Sequence, residues 1–122
     1  MIEQIRKEII IFEKLVEISI TITDAGVLVF IAGGDLSHIG AVSVVNPVGK
    51  LCTEVFEGHK DQYVSEMWAD RLYRSFHVPV AVSVGIHYDE INAAGIEYIV
   101  TILENELETI TKSINHLIKH SV

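Results

Sequence analysis

From Ile96 the chain repeats apolar side chains at spacings of mostly three and four, through Leu103, Leu107, Ile110, Ile114 and Leu117. That spacing lays one apolar stripe along a long helix, for which Asn92 is the expected cap. A stripe of this length needs another layer to cover it, and the residues before it supply one by changing period. "VEISITI" (16–22) alternates apolar and polar residues, "VLVFIA" (27–32) is wholly apolar, and "DAG" between them has turn chemistry. These segments predict a hairpin. "IGAVSVV" (39–45) and "KLCTEVF" (50–56), joined by "NPVG" with Pro47 and Gly49, predict a second.

Between Asp61 and Phe76 the period becomes helical, with Val64, Met67, Trp68, Leu72 and Phe76 on one side and Asp61 expected as the cap. "VPVAVSVGI" (78–86) returns to strand character, Pro79 sitting at its start, where no ladder hydrogen bond is lost. Residues 1–12 fit helix or strand equally and are left open. The order strand, strand, strand, strand, helix, strand, helix predicts an α+β fold in which a mostly antiparallel sheet packs against two helices, as a single domain over residues 1–122.

Charge and composition narrow the partners. A formal charge of −8 opposes contact with phosphate backbones, so no nucleic acid is expected. No apolar run approaches the roughly 18 residues of a membrane span. Cys52 has no second cysteine to pair with, and "MIEQIRKEII" lacks the apolar core of a signal peptide, which together predict a cytoplasmic protein with no membrane partner. Beside the main stripe, Tyr98, Ile99, Val100 and Ile102 are surplus apolar surface, from which a homo-oligomer is expected.

Three segments put a histidine and small or charged neighbours where elements end: "GGDLSHIG" (33–40), "GHKD" (58–61) and "VGIHYDE" (84–90). Gly33 and Gly34 permit positive φ or close backbone approach, which suits a ligand loop and equally suits a simple turn. Lys60 precedes a helix whose first N–H groups favour an anion; a solvated surface lysine is the plain alternative. Arg71 and Arg74 on that helix fit an exposed face paired with Glu66 and Asp70. His38, His59 and His87 could together bind a metal or act as acid–base groups, although they lack the close spacing of a helical metal motif. His77, His116 and His120 fall near helix ends, where the dipole favours them. The serines lack a G-x-S-x-G elbow, and Cys52 falls within a predicted strand, where a buried, inert thiol is expected.

"GGDLSHIGAVS", "GHKDQYVSEMWADRL" and "VSVGIHYDEI", in this order and spacing, resemble the prenylated-flavin chaperone family, typified by the small D subunit of gallate decarboxylases. The likeness runs from about Val27 into the last helix. It implies a non-enzymatic accessory protein that binds prenylated flavin mononucleotide, or flavin mononucleotide, and supports maturation of a UbiD-like decarboxylase large subunit. On the matching segments it further implies a ligand-facing loop of Gly33, Gly34, Asp35, His38, Ile39 and Gly40, phosphate or ring contacts from His59 and Lys60, and an opposite wall of Gly85 and His87. Two alternatives stand beside it: a small histidine-based or metal-dependent enzyme, and a structural decarboxylase subunit that binds no ligand.

Overall fold

The computed structural model describes residues 1–120, and side chains as far as residue 118. The elements run β1 (Ile2–Ile11), β2 (Lys14–Thr23), β3 (Gly26–Gly34), β4 (Leu36–Val45), β5 (Leu51–Val55), α1 (His59–Phe76), β6 (Val80–His87) and α2 (Ala93–His120). They build one six-stranded sheet of order β1-β2-β3-β6-β4-β5. Only the β3–β6 pairing is parallel; the other neighbours are antiparallel. The expected α+β fold, a mostly antiparallel sheet under two helices, is the one observed, and residues 1–12 resolve as an edge strand.

The two periods meet in the core. Alternate residues of the central strands, Val16, Ile18, Ile20 and Ile22 on β2, Val27, Val29 and Ile31 on β3, and Val80, Val82, Val84 and Ile86 on β6, turn to the helices and are buried. Against them lie Val64, Trp68 and Leu72 of α1 and Ile99, Leu103, Leu107, Ile110 and Ile114 of α2, all in one cluster. Burying a side chain of this size stabilises by about 1.5–3 kcal/mol, so this cluster carries most of the driving force for the fold. Ile99, expected to be surplus surface, is fully buried and belongs to this core stripe, whereas Tyr98 beside it is exposed.

Among the described residues no helix covers the opposite sheet face. There Leu28, Phe30 and Val44 remain exposed, and Cys52, paired with Val44 on the edge strand β5, is exposed as well and not the buried thiol expected.

Local chemistry sets the ends. Asn92 caps α2, its side-chain Oδ1 accepting the Gly95 N–H at 2.8 Å. Between β4 and β5, Asn46 Oδ1 accepts the N–H groups of Val48 and Lys50, and Gly49 takes φ 87°, which makes the expected Pro-Gly turn. His77 ends α1 in the left-handed conformation, its N–H returning to the Tyr73 carbonyl at 2.7 Å. The β1–β2 turn is unusual: Phe12 and Glu13 both take positive φ, 49° and 65°, with no glycine or asparagine to ease it. Aromatic packing holds it, the Phe12 ring lying edge-on to Tyr88 at 5.8 Å and tilted against Tyr98 at 5.2 Å.

One expectation is corrected. Asp61 does not cap α1, which begins two residues earlier at His59 with Gly58 as its N-cap; the aspartate lies in the first turn and turns inward, 2% exposed. It falls in the same helical row as Val64, Ser65, Trp68 and Leu72, so it is carried into the buried face.

Candidate functional site

Where β4 and β6 begin to separate, the ladder between them breaks. Ser37 pairs with Ile86 and Ala41 with Val84, and the residues between leave the register as a bulge. The bulge folds over Gly85: a Cβ there would lie 1.6 Å from the His38 carbonyl oxygen, so only glycine admits the strand at this point. At the other side of the bulge, a Cβ on Gly40 would lie 2.1 Å from Asp61 Oδ2, and its absence makes room for the carboxylate. The Gly40 carbonyl accepts the N–H groups of Phe56 and Glu57, which anchors the loop leading into α1. Two glycines thus let His38, Asp61 and the start of α1 converge.

The convergence opens into a cavity of about 860 Å³, lined by His38 of β4, Glu57 to Asp61 and Tyr63 around the start of α1, Ile86 and His87 of β6, and Ala93, Ile96, Glu97, Val100, Thr101 and Glu104 of α2. No side chain caps α1 among the described residues, and its first turn forms part of the wall. The Lys60 ammonium donates to the Ile86 carbonyl across the gap. On the far wall Glu104 pairs with Arg71 at 2.5 Å.

Asp61 is the best-held group in this wall. Its Oδ1 accepts the Ile86 N–H at 3.2 Å, and its Oδ2 lies 3.4 Å from His38 Nε2. Burial raises its pKa above the ordinary carboxylate value of 3.8, against the opposing pull of the Ile86 N–H, Lys60 and His38.

The sequence-predicted residues therefore divide. His38, His59, Lys60 and His87, one or more from each of the three segments, share the cavity. Gly33, Gly34, Asp35, Ile39, Gly40 and Gly85 are not among its lining residues. Gly40 and Gly85 stand behind the wall as packing positions, Gly33 would bring a Cβ to 2.2 Å from the Leu15 carbonyl oxygen, and Gly34, at φ 85°, to 2.2 Å from that of His87. Ile39 is exposed on the bulge.

Asp35 anchors a separate cluster. Its Oδ2 accepts the Asp89 N–H at 2.9 Å and its Oδ1 lies 3.4 Å from Lys14 Nζ, while His87 Nε2 meets Asp89 Oδ1 at 3.0 Å. The Asp89 N–H, with help from Lys14, holds the Asp35 pKa below the ordinary range. Next to it the Tyr88 hydroxyl donates to the Ile11 carbonyl at 2.6 Å, tying the first hairpin to the end of β6, and burial raises the phenol's pKa.

Sequence reasoning missed Asp61 and the whole α2 wall. Both left a trace: Asp61 interrupts an apolar helical row with an acid, and Ala93, Glu97, Val100, Thr101 and Glu104 recur at spacings of one, three and four, a second stripe beside the core stripe. Among the described residues no three of His, Cys, Asp and Glu are grouped to hold a metal ion, so the three histidines share a cavity without forming a ligand set. No helix among them is long and apolar enough to cross a membrane.

Residues 13–115 match the family model described as the prenylated flavin chaperone LpdD-like domain. The chain belongs to that family. The matched span takes in the cavity, the Asp35 cluster and every element except β1 and the end of α2, and the chaperone family supports an accessory role for the chain. Among solved structures, a chain from a chaperone complex for yeast 20S proteasome assembly superposes with a TM-score of 0.63 at 10% identity, covering 91% of this chain and 96% of that one. At that identity the likeness establishes a shared fold. No curated protein matches.

Proposed function

We propose that the cavity between α1, β4, β6 and α2 binds prenylated flavin mononucleotide, or flavin mononucleotide, and that the chain holds this cofactor for transfer to a UbiD-like decarboxylase. The observation that carries the reading is the meeting of all three histidine segments in one cavity, in a member of a prenylated flavin chaperone family. The volume of about 860 Å³ is within the range that encloses a cofactor-sized ligand.

The lining suits such a ligand in parts. The uncapped first turn of α1 with the Lys60 ammonium offers N–H donors and a cation for a phosphate, and Ile86, Ile96, Val100 and Tyr63 offer apolar and aromatic surface for a ring system. Glu97 makes the α2 side of the rim acidic, whereas Glu57, next to the α1 end, is largely exposed to solvent, so the first turn of α1 with Lys60 is the place for an anion. On this reading the protein's task is binding and shielding, and the bond chemistry belongs to the decarboxylase.

The test is a fluorescence titration of the purified chain with prenylated flavin mononucleotide and with flavin mononucleotide. Saturable binding is expected, weakened about tenfold or more by Lys60→Met, since a charge-assisted contact to phosphate is lost. Absence of binding to either flavin would remove the reading.

A further inference from the structure

The helices use one face of the sheet, and strand pairing orders the other into rows. One row runs straight across all six strands as Arg6, Ser19, Phe30, Ser83, Val42 and Glu54. The next runs as Gln4, Thr21, Leu28, Ala81, Val44 and Cys52. The strand neighbours of these residues supply the core, so the alternation of side chains turns both rows away from the helices. Their middle is apolar, with Leu28 55% and Phe30 38% exposed. In a chain of net charge −8 the two rows hold one cation and one anion, Arg6 at one edge and Glu54 at the other. The apolar surplus expected on α2 is mostly taken up by the fold: Ile99 is buried, and Val100 and Ile102 pack against the core.

We infer that a second copy of the chain covers this face, sheet on sheet, about a two-fold axis that runs along the strands and passes between β3 and β6. Size and charge select both the occupant and the axis. This axis lays β3 over the partner's β6 and β1 over the partner's β5. Phe30 then meets the partner's Ser83, and Leu28 meets the partner's Ala81, bulky side chains over small ones. At both edges Arg6 meets the partner's Glu54. Arg6 already pairs with Glu17 of its own chain, and its five N–H groups leave donors for a second carboxylate. The other axis in the plane of the interface, across the strands, would set Phe30 against the partner's Leu28 and small residues against small ones. It would also keep Arg6 and Glu54 at opposite edges.

The area suffices for a stable pair. With strands ~4.8 Å apart and a rise of ~3.3 Å per residue, six strands of five to ten residues present a face of roughly 800 Å². A standard interface buries about 800 Å² on each partner. Sheets stacked in this way lie ~10 Å apart and turn by ~30° against each other, an offset at the edges that the long Arg6 side chain spans. The cavity is on the helix side, so such a dimer carries two cavities facing outward, and the inference does not depend on what they bind.

Sedimentation equilibrium of the full chain across a dilution series reads the assembly, and a dimer of twice 13.6 kDa is expected. Phe30→Glu should weaken its dissociation constant about thirtyfold or more, because it puts a charge at the centre of the interface. Arg6→Glu and Glu54→Arg lie at exposed edges of the sheet; each should weaken dimerisation about tenfold at low salt, and the two combined in one chain should restore it. Cys52, the chain's one cysteine, reads the axis. Its two copies would lie five strand spacings apart, ~24 Å, so a bismaleimide with a hexane spacer should leave the wild type uncrosslinked. The same reagent should join Gln4→Cys dimers through position 4 and the partner's Cys52. A chain that is monomeric at every concentration would overturn the inference and leave the face to a different protein. So would an oligomer that is lost in Tyr98→Glu and unchanged in Phe30→Glu, or a wild type that crosslinks through Cys52. If Phe30→Glu does not fold by circular dichroism, the charge exchange and the crosslink decide.

Discussion

Asp35 and Asp61 flank the same short stretch of chain around β4, each beside a histidine and a lysine, yet their surroundings drive them in opposite directions. Asp35 is partly exposed, accepts a backbone N–H, and is held in its ionised form by that bond and by Lys14. Asp61 is buried in the wall of the cavity, where the loss of water outweighs the one N–H that it accepts. The comparison separates two jobs that the sequence had run together: one aspartate latches the end of β6 to the first hairpin, and the other shapes a cavity. Solvent, rather than the identity of the neighbouring residues, decides which job each has.

The largest break in this comparison should come from the backbone that keeps the two regions apart. Gly85→Ala forces a Cβ into the His38 carbonyl, and a clash with main chain cannot relax cheaply; a loss of about 3 kcal/mol is expected in urea unfolding, with the cavity's ligand binding lost as well. Next is Asp61 itself. Asp61→Ala leaves the buried Ile86 N–H without its acceptor and should cost about 2 kcal/mol, whereas Asp61→Asn should lie close to wild type.

The two carboxylates also predict opposite slopes with pH. For Asp61 the folded pKa is raised, so its contribution is complete below the ordinary value of 3.8 and is lost as pH rises from there through the folded value; Asp61→Asn should remove that slope. For Asp35 the folded pKa is lowered, so its contribution is present above 3.8 and is lost as pH falls through the lower folded value. Between these effects in size, Tyr88→Phe strands the Ile11 carbonyl and should cost about 1 kcal/mol, read most directly as faster amide exchange in β1. Asp35→Asn should have the smallest effect, screened by salt and confined to the same hairpin. Equal responses to salt and pH from the two aspartates would erase the distinction between the regions.

The strands and helices that were legible in the sequence are those with one wet and one dry face. The alternation of "VEISITI" and the row from Leu103 to Ile114 survive because burial is one-sided, and a one-sided environment leaves a period. β1 hid for the opposite reason. As an edge strand it has one half-buried face and one exposed face, and neither is uniform in residue type: Lys7 occupies a helix-side position among Ile5, Ile9 and Ile11 and reaches Glu106 at 2.6 Å, while Ile2 and Ile10 lie on the exposed face. Apolar and charged residues therefore mix on each face and no period emerges.

The site was legible only as segments. The three histidines mark the ends of elements, which a sequence displays, but that Gly40 exists to admit Asp61, or that Thr101 faces Lys60's helix across a cavity, depends on strand order and helix placement. Gly33 and Gly34 were expected to permit positive φ or close approach, and Gly40 and Gly85 to face a ligand. What approaches them in this chain is its own carbonyl and carboxylate oxygens.

The place of β6 has a consequence for how this protein is made. Val80–His87 sits between β3 and β4, strands that precede it in the chain, pairing in parallel with one and antiparallel with the other. During synthesis the first five strands and α1 emerge without the strand that joins them into one sheet, so two apolar strand edges must wait unpaired until the last third of the chain arrives. The cavity, whose wall needs both β6 and the start of α2, can therefore form only after these elements have emerged.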